Sequence, residues 1–257
     1  MSNISRAFDD KAFEWEHYTQ TPAGRLREFL NWHYLQPYLP PPSATILDVG
    51  AGTGGLGIML AKAGYTVHLL DISEKMLAIA SQKAASHRLT LFFHHTDLTN
   101  FVPPEIRFDV ICCHTVLAYV SDAAATIQQM AKWLKPNGIL SVVFVNRHAD
   151  VLKSALRKAD WRSAYQQLSS SSACADLFGV PRKLYDAETI LQLLADAHFK
   201  PVAEYGVRIF TDYHEHENWH HNQAELEALI QLETAASSLA PYQRIGRYGQ
   251  IIARLMK

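Results

Sequence analysis

Gly50, Gly52 and Gly55, in the stretch ILDVGAGTGGLGIMLAKAGYTVHLLDIS from Ile46 to Ser73, satisfy the spacing G-x-G-x-x-G, and Asp71 follows about 20 residues on. Glycines at a turn let the backbone approach a ligand closely, and a carboxylate at the end of the next strand accepts hydrogen bonds from ribose hydroxyls. The chemistry implied is the holding of a ligand that contains adenosine. In a dinucleotide site the same glycines bring a helix N-terminus onto a pyrophosphate. Here Asp48 stands just before Gly50, where a carboxylate would repel a diphosphate and could orient a backbone amide or the ammonium of an amino acid.

Two further groups of residues carry chemistry. HEHENWHH packs His214, His216, His220 and His221 together, and His216 with His220 have the i, i+4 spacing of a helical metal pair. The segment is a polar connector with no strand-anchored third ligand nearby, so no metal is expected. Closer to the C-terminus, Arg208, Tyr213, Tyr242, Arg244, Arg247 and Tyr248 gather cations and aromatic rings. Such a set could stack an unpaired base and hold an anion, or it could be a sheet edge with snorkelling arginines.

Positioning these residues requires strands and helices in alternation. ATILDVG (44–50), YTVHLLDI (65–72), LTLFFHHTD (89–97), FDVICCHT (108–115) and GILSVVFVN (138–146) are short apolar runs, as expected of parallel strands covered on both faces. Leu56, Met59, Leu60 and Ala63 share one helix face that stops at Gly64, Met76, Leu77 and Ala80 share another behind the N-cap Ser73, and AAATIQQMAKWLKPNG supplies a third. The pattern predicts a doubly wound α/β sheet. ADVLKSALRKADWRSAYQQL then reads as helical, SSSSACADLFGVPRK as a mobile loop, and YDAETILQLLADAHF as a helix capped by Asp186. A strand (VAEYGVRIF), a helix (QAELEALIQLETAASSL) and a last strand (YGQIIARLM) follow.

One domain over 1–257 is expected: a helical lid segment over 1–43 carrying Phe13, Trp15 and Tyr18, a cofactor-binding core over 44–146, a helical insertion and loop over 147–199, and closing strands over 200–257. Composition is ordinary for a globular protein, with 48% hydrophobic and 19% charged residues, and the net charge of -1 provides no global pull toward nucleic acid. Cys112, Cys113 and Cys174 are odd in number and the first two are adjacent in an apolar run, which suits buried thiols. No apolar run approaches the ~20 residues that span a bilayer, and the N-terminus has no secretory core, so neither membrane nor export is expected and a cytoplasmic location is.

LDVGAGTG is similar to the first motif of the class I methyltransferase superfamily, LLDIS to its second, HHTDL to its third and FDVICCHTVLAYV to its fourth, in order and at the usual spacing. The resemblance implies S-adenosyl-L-methionine, which carries an ammonium and no phosphate, as cofactor. It also implies a Rossmann-like, seven-stranded, mostly parallel sheet whose last strand is antiparallel, with a helical insertion after the fifth strand. Carried over by residue, Gly50, Ala51 and Gly52 would pass under the methionine moiety beside Asp48, and Asp71 would hold both ribose hydroxyls. Ile72 and Met76 would pack on the adenine, Asp97 and the backbone at Thr96 would meet its amino edge, and His114 would face the donor methyl. Met76 also reads as helix core, and His114 as a satisfied strand-end histidine.

The flanks resemble one branch of that superfamily, the bacterial tRNA methyltransferases that esterify the carboxylate of 5-carboxymethoxyuridine at the wobble position. The similar segments are FDDKAFEWEHYTQTPAGRLR, YGVRIFTDY, LIQLET and PYQRIGRY. This likeness implies that Arg27 contacts the cofactor through its carboxylate, with an exposed helix arginine as the alternative. The chain departs from the branch in having SSSSACADLFGVPRK where the branch has a lysine-rich run, and Ala118 where it has a glutamate. The acceptor is therefore expected to be a modified tRNA uridine or a small molecule, with Tyr18, Arg208, Tyr213, Arg244, Arg247 and Tyr248 as candidate contacts. A carboxylate acceptor is already ionised and needs no general base, whereas for a hydroxyl or amine His114 is the nearest candidate. A nucleotide-linked oxidoreductase and a non-catalytic cofactor-sensing module remain open on the residues alone.

Overall fold

A computed structural model describes residues 3–174, 177–213, 220 and 222–256. Three helices come first, α1 (Asn3–Asp10), α2 (Ala12–Gln20) and α3 (Pro22–Leu35), the last capped by Thr21, whose side chain accepts from the Gly24 amide. Strand and helix then alternate through β1 (Thr45–Val49), α4 (Gly55–Lys62), β2 (Thr66–Asp71), α5 (Glu74–Ser86), β3 (Phe92–His95), β4 (Phe108–His114), α6 (Ala123–Trp133) and β5 (Leu134–Val145). The insertion contains α7 (Arg147–Leu152), a π turn over Lys153–Arg157, α8 (Trp161–Gln167) and a ribbon of β6 (Ser172–Cys174) with β7 (Pro181–Lys183). The chain closes with α9 (Ala187–Asp196), β8 (Phe199–Val207), α10 (Gln223–Ala236) and β9 (Tyr248–Leu255).

The seven-stranded sheet has the order β3-β2-β1-β4-β5-β9-β8. β1 pairs in parallel with both β2 and β4, so the crossovers leave β1 in opposite directions and open a crevice at its carboxyl end. β9 runs antiparallel to β5 and to β8, so its first residues lie at that same end of the sheet. One face is covered by α6 and α9, through Ile127, Met130, Ile190 and Leu194 against Leu47, Ile111 and Leu140. The other is covered by α3, α4 and α5, through Leu35, Leu60, Leu77 and Ala80 against Ile46, Leu69 and Val110. This is the doubly wound α/β sheet that the apolar runs predict.

Some local readings are corrected. β3 is an edge strand with Phe92 48% and Phe93 36% exposed, not a strand covered on both faces, because nothing pairs beyond it. The run read as one helix after Asn146 is broken into α7, a π turn and α8, and Asp160 caps the second helix by accepting from the Ser163 amide. Part of the serine-rich stretch read as a mobile loop is the β6/β7 ribbon. Cys112 and Cys113 are both fully buried. Of the clustered histidines, His214, His216 and His221 lie outside the described residues.

Gly249 pairs with Phe144 across β5 and β9, and a Cβ there would fall on the Phe144 ring. Gly249→Ala is expected to destabilise the protein by about 1 to 3 kcal/mol through overpacking, read as a lower urea midpoint with an unchanged m-value.

Candidate active site

The crevice beyond β1, β2 and β4 is a cavity of about 960 Å³. Its floor is the glycine turn. Gly50, Gly52 and Gly54 all have positive φ (65°, 54° and 77°), which a side chain would strain. A Cβ on Gly50 would also strike Val116, and one on Gly52 would come within 3.1 Å of the Trp15 indole nitrogen. Asp71 is pinned by the same turn: its Oδ2 accepts from the Gly52 amide at 2.7 Å and its Oδ1 from the Ser73 amide at 2.8 Å. Each oxygen keeps a lone pair for a ligand hydroxyl.

Three carboxyl groups share this end of the cavity: Asp48, Asp71 and Glu28, the last reaching from α3 to where a side chain on Gly55 would sit. Burial, and secondarily Asp71 and Glu28, push Asp48 up to about 8. A cation placed beside it would favour its ionised form. Burial also raises Asp71 and Glu28. Such an acidic pocket favours a cationic ligand over a diphosphate.

The helices before the sheet are fastened over this floor. Ser5 Oγ donates to the Ile72 carbonyl at 3.2 Å, and Asp9 Oδ1 accepts from Ser73 Oγ at 2.6 Å and from the Lys75 amide at 3.1 Å. Ser73 at once caps α5, accepting from the Met76 amide at 3.2 Å. From the insertion, Phe178 meets Phe8 and Trp15 with ring centroids 4.6 Å and 5.5 Å away.

A cationic group lines the same cavity. Arg27, 8% exposed, is not the surface arginine of the alternative reading: its guanidinium lies 4.8 Å, 5.5 Å and 5.7 Å from the ring centroids of Trp15, Tyr18 and Tyr248. Its Nε is buried without a hydrogen-bond partner, and no ion pair engages Arg27 among the described residues. Arg208 donates to Asp212 at 2.7 Å and to the Tyr18 hydroxyl at 2.8 Å. Arg247 pairs with Asp150. Arg208 and Thr115 both sit in the left-handed region (φ 58° and 65°), each just past a strand end, where the chain turns sharply toward the cavity. Glu233 of α10, fully buried, holds the loop after Arg208 by accepting from the amides of Ile209 at 2.7 Å and Phe210 at 3.0 Å.

Every cofactor candidate read from sequence, namely Arg27, Asp48, Gly50, Ala51, Gly52, Asp71, Ile72, Met76, Thr96, Asp97 and His114, lines this one cavity. Of the acceptor candidates, Tyr18, Arg208, Arg247 and Tyr248 do so too. Tyr213 and Arg244 do not. The Tyr213 hydroxyl donates to the Ile245 carbonyl, and Arg244 pairs with Glu204 at 3.3 Å and Glu188 at 3.5 Å. Burial, and then Arg27, bring His114 down to about 3, and its Nε2 is hydrogen-bonded with Ser141 Oγ at 2.8 Å, a setting that does not favour a general base. Sequence reasoning missed Glu28, Asn31, Asp212 and Phe178, whose places in the wall depend on tertiary approach.

Residues 46–138 match the family described as a methyltransferase domain. The chain is also 29% identical to the tRNA 5-carboxymethoxyuridine methyltransferase of Escherichia coli K12, over 97% of this chain and 96% of that relative. The protein is an S-adenosylmethionine-dependent methyltransferase with the class I fold. It is likewise 29% identical to the ubiquinone biosynthesis O-methyltransferase of Actinobacillus pleuropneumoniae, over 62% of this chain and 71% of that one. Among solved structures, magnesium protoporphyrin IX methyltransferase from Synechocystis, crystallised with bound SAH, shares the fold with a TM-score of 0.66 at 17% identity, covering 98% of this chain and 97% of its own.

The cofactor of this methyltransferase is S-adenosyl-L-methionine, and the donor set fits it. The unpaired Arg27 Nε suits a carboxylate, Asp48 and Glu28 suit an ammonium, and the pinned Asp71 suits a ribose. Asp71→Ala is expected to weaken S-adenosylmethionine binding by about 1 to 3 kcal/mol, measured calorimetrically; an unchanged affinity would remove the ribose role.

Proposed function

We propose that this methyltransferase esterifies the carboxylate of a modified wobble uridine in tRNA. The observation that carries the reading is the convergence of Arg27, Arg208 and Arg247 with Tyr18 and Tyr248 on the cofactor cavity. Such a set is built to hold an anion beside the donor. The likeness to the Escherichia coli tRNA 5-carboxymethoxyuridine methyltransferase, which extends along 97% of this chain, supports a carboxylate acceptor. With tRNA as partner, the proposed compartment is the cytoplasm.

When bound, S-adenosylmethionine supplies a methyl group on a sulfonium, open to in-line displacement. The residues of the chain align and exclude water. Arg27 would hold the cofactor carboxylate, Asp71 its ribose, and Gly50, Ala51 and Gly52 would let it lie close on the backbone, with Ile72, Met76, Thr96 and Asp97 around the adenine. Arg208 and Arg247 would orient the acceptor carboxylate, which is ionised near pH 7, so no proton moves. Each of these arginines already carries an acidic partner, the buried Asp212 or the partly buried Asp150, which tempers its grip on the ground state. Trp15, Phe8 and Phe178 would close the cavity to water.

The direct experiment compares wobble nucleosides of tRNA from a strain lacking this gene with those of its parent. The methyl ester is expected to vanish and the free acid to accumulate; identical profiles would refute the reading. A pH profile separates carboxylate from base-dependent chemistry. Burial alone would raise the Tyr248 phenol, but Arg27, Arg208 and Arg247 outweigh it and bring it down to about 8. Below that pH the neutral phenol can donate to a carboxylate, and above it the phenolate repels one. kcat/KM is therefore expected to fall above about pH 8 in the native enzyme and not in Tyr248→Phe. A rise through the same range would point to an acceptor that must lose a proton.

A further inference from the structure

We infer that α8 is a stacking platform for unpaired nucleotides flanking the target base, an inference that rests on the tRNA reading above. Trp161, Tyr165 and Leu168 recur at i, i+4 and i+7 on this helix and are 68%, 77% and 60% exposed. Ordinarily a stripe at that spacing is the face a helix buries. Here the inward face is a different one: Ala164 is 6% exposed, and Gln167 accepts from Ser154 Oγ at 3.0 Å. Leu156 in the preceding turn is also exposed, at 59%. Single exposed apolar residues need no explanation, but a contiguous group with two large rings marks a contact surface.

Charge selects the partner. Residues 147–168 contain Arg147, Lys153, Arg157, Lys158 and Arg162 against Asp150 and Asp160, in a chain whose net charge is -1, and Arg147 pairs outside the segment with Asp186 at 3.6 Å. Both acidic groups are committed, Asp150 to Arg182 and Arg247, and Asp160 to the cap of α8. Lys158 and Arg162 are exposed on or beside the aromatic stripe. Rings that offer flat faces, interleaved with cations, match single-stranded nucleic acid, where bases stack and phosphates are neutralised. Position agrees as well. Lys153 lines the cavity, and its neighbour Ser154 is bonded to α8, so the platform begins at the cavity wall. A base extruded into the cavity would leave its neighbours in the strand above Trp161 and Tyr165.

The test uses the full chain with three substrates: tRNA bearing the free-acid wobble nucleoside, the free nucleoside 5-carboxymethoxyuridine, and S-adenosylmethionine. Trp161→Ala with Tyr165→Ala is expected to raise the tRNA Kd tenfold or more, with cofactor affinity and turnover of the free nucleoside unchanged. Trp161→Phe with Tyr165→Phe, which keeps the rings, should retain tRNA affinity. Lys158→Gln with Arg162→Gln should weaken binding and flatten the dependence of log K on log salt by about 1 to 2. Equal tRNA affinity in the native and double-alanine proteins would overturn the platform and leave the tRNA reading standing. A native protein that neither binds nor methylates tRNA would overturn both. Loss of binding to anionic phospholipid vesicles in the double-alanine protein, with tRNA affinity unchanged, would assign the patch to a membrane surface and equally overturn the platform.

Discussion

A buried guanidinium with no ion-pair partner among the described residues governs the site. Taking a cation out of water is costly unless something answers its charge, and Arg27 has only three ring faces, two phenols and nearby Glu28 to do so. The arrangement around it follows from that need. Trp15 and Tyr18 come from α2, Tyr248 from the start of β9, and each is held by contacts of its own. The same demand links the three arginines, because Tyr248 also faces Arg208 and Arg247. One phenol thus lies among Arg27, Arg208 and Arg247.

Two opposite polarities within one cavity give the site its selectivity. Asp48, Asp71 and Glu28 make one region hostile to diphosphates, while Arg27, Arg208 and Arg247 make another receptive to carboxylates. A zwitterionic cofactor answers both regions, and on the proposed reading an anionic acceptor completes the second, whereas a dinucleotide answers only the second. This electrostatic division is a stronger argument against an oxidoreductase than the glycine spacing, which both ligand classes share.

The core was legible in the sequence because its signals are local. Apolar runs ending in Val49, Asp71 and His114 announce strands, and a glycine turn followed by Asp71 announces what their ends hold. The acceptor side was legible only in part. Arg208 and Arg247 could be suspected as basic residues near aromatic ones, but so could Arg244, which pairs with Glu188 and Glu204 instead. No spacing in the chain distinguishes them, since burial on one side of a loop or the other is a tertiary outcome. Glu233 shows the same limit: it stands in a recognisable segment, LIQLET, yet its work of holding the backbone behind Arg208 appears only in three dimensions. The insertion misleads differently. A search for a lysine run finds serines, because the charge there is spread among separate turns and its aromatic partners align only once α8 is formed.

The reversed direction of β9 divides the labour of building the cavity. The parallel strands present the glycine turn at their carboxyl ends, whereas Arg247 and Tyr248 reach the same crevice from the amino end of an antiparallel strand inserted between β5 and β8. Two strand directions thus bring opposite chain ends of their strands to one rim, so a shift of β9 along β5 would move the arginine and the phenol relative to the turn without disturbing the turn itself.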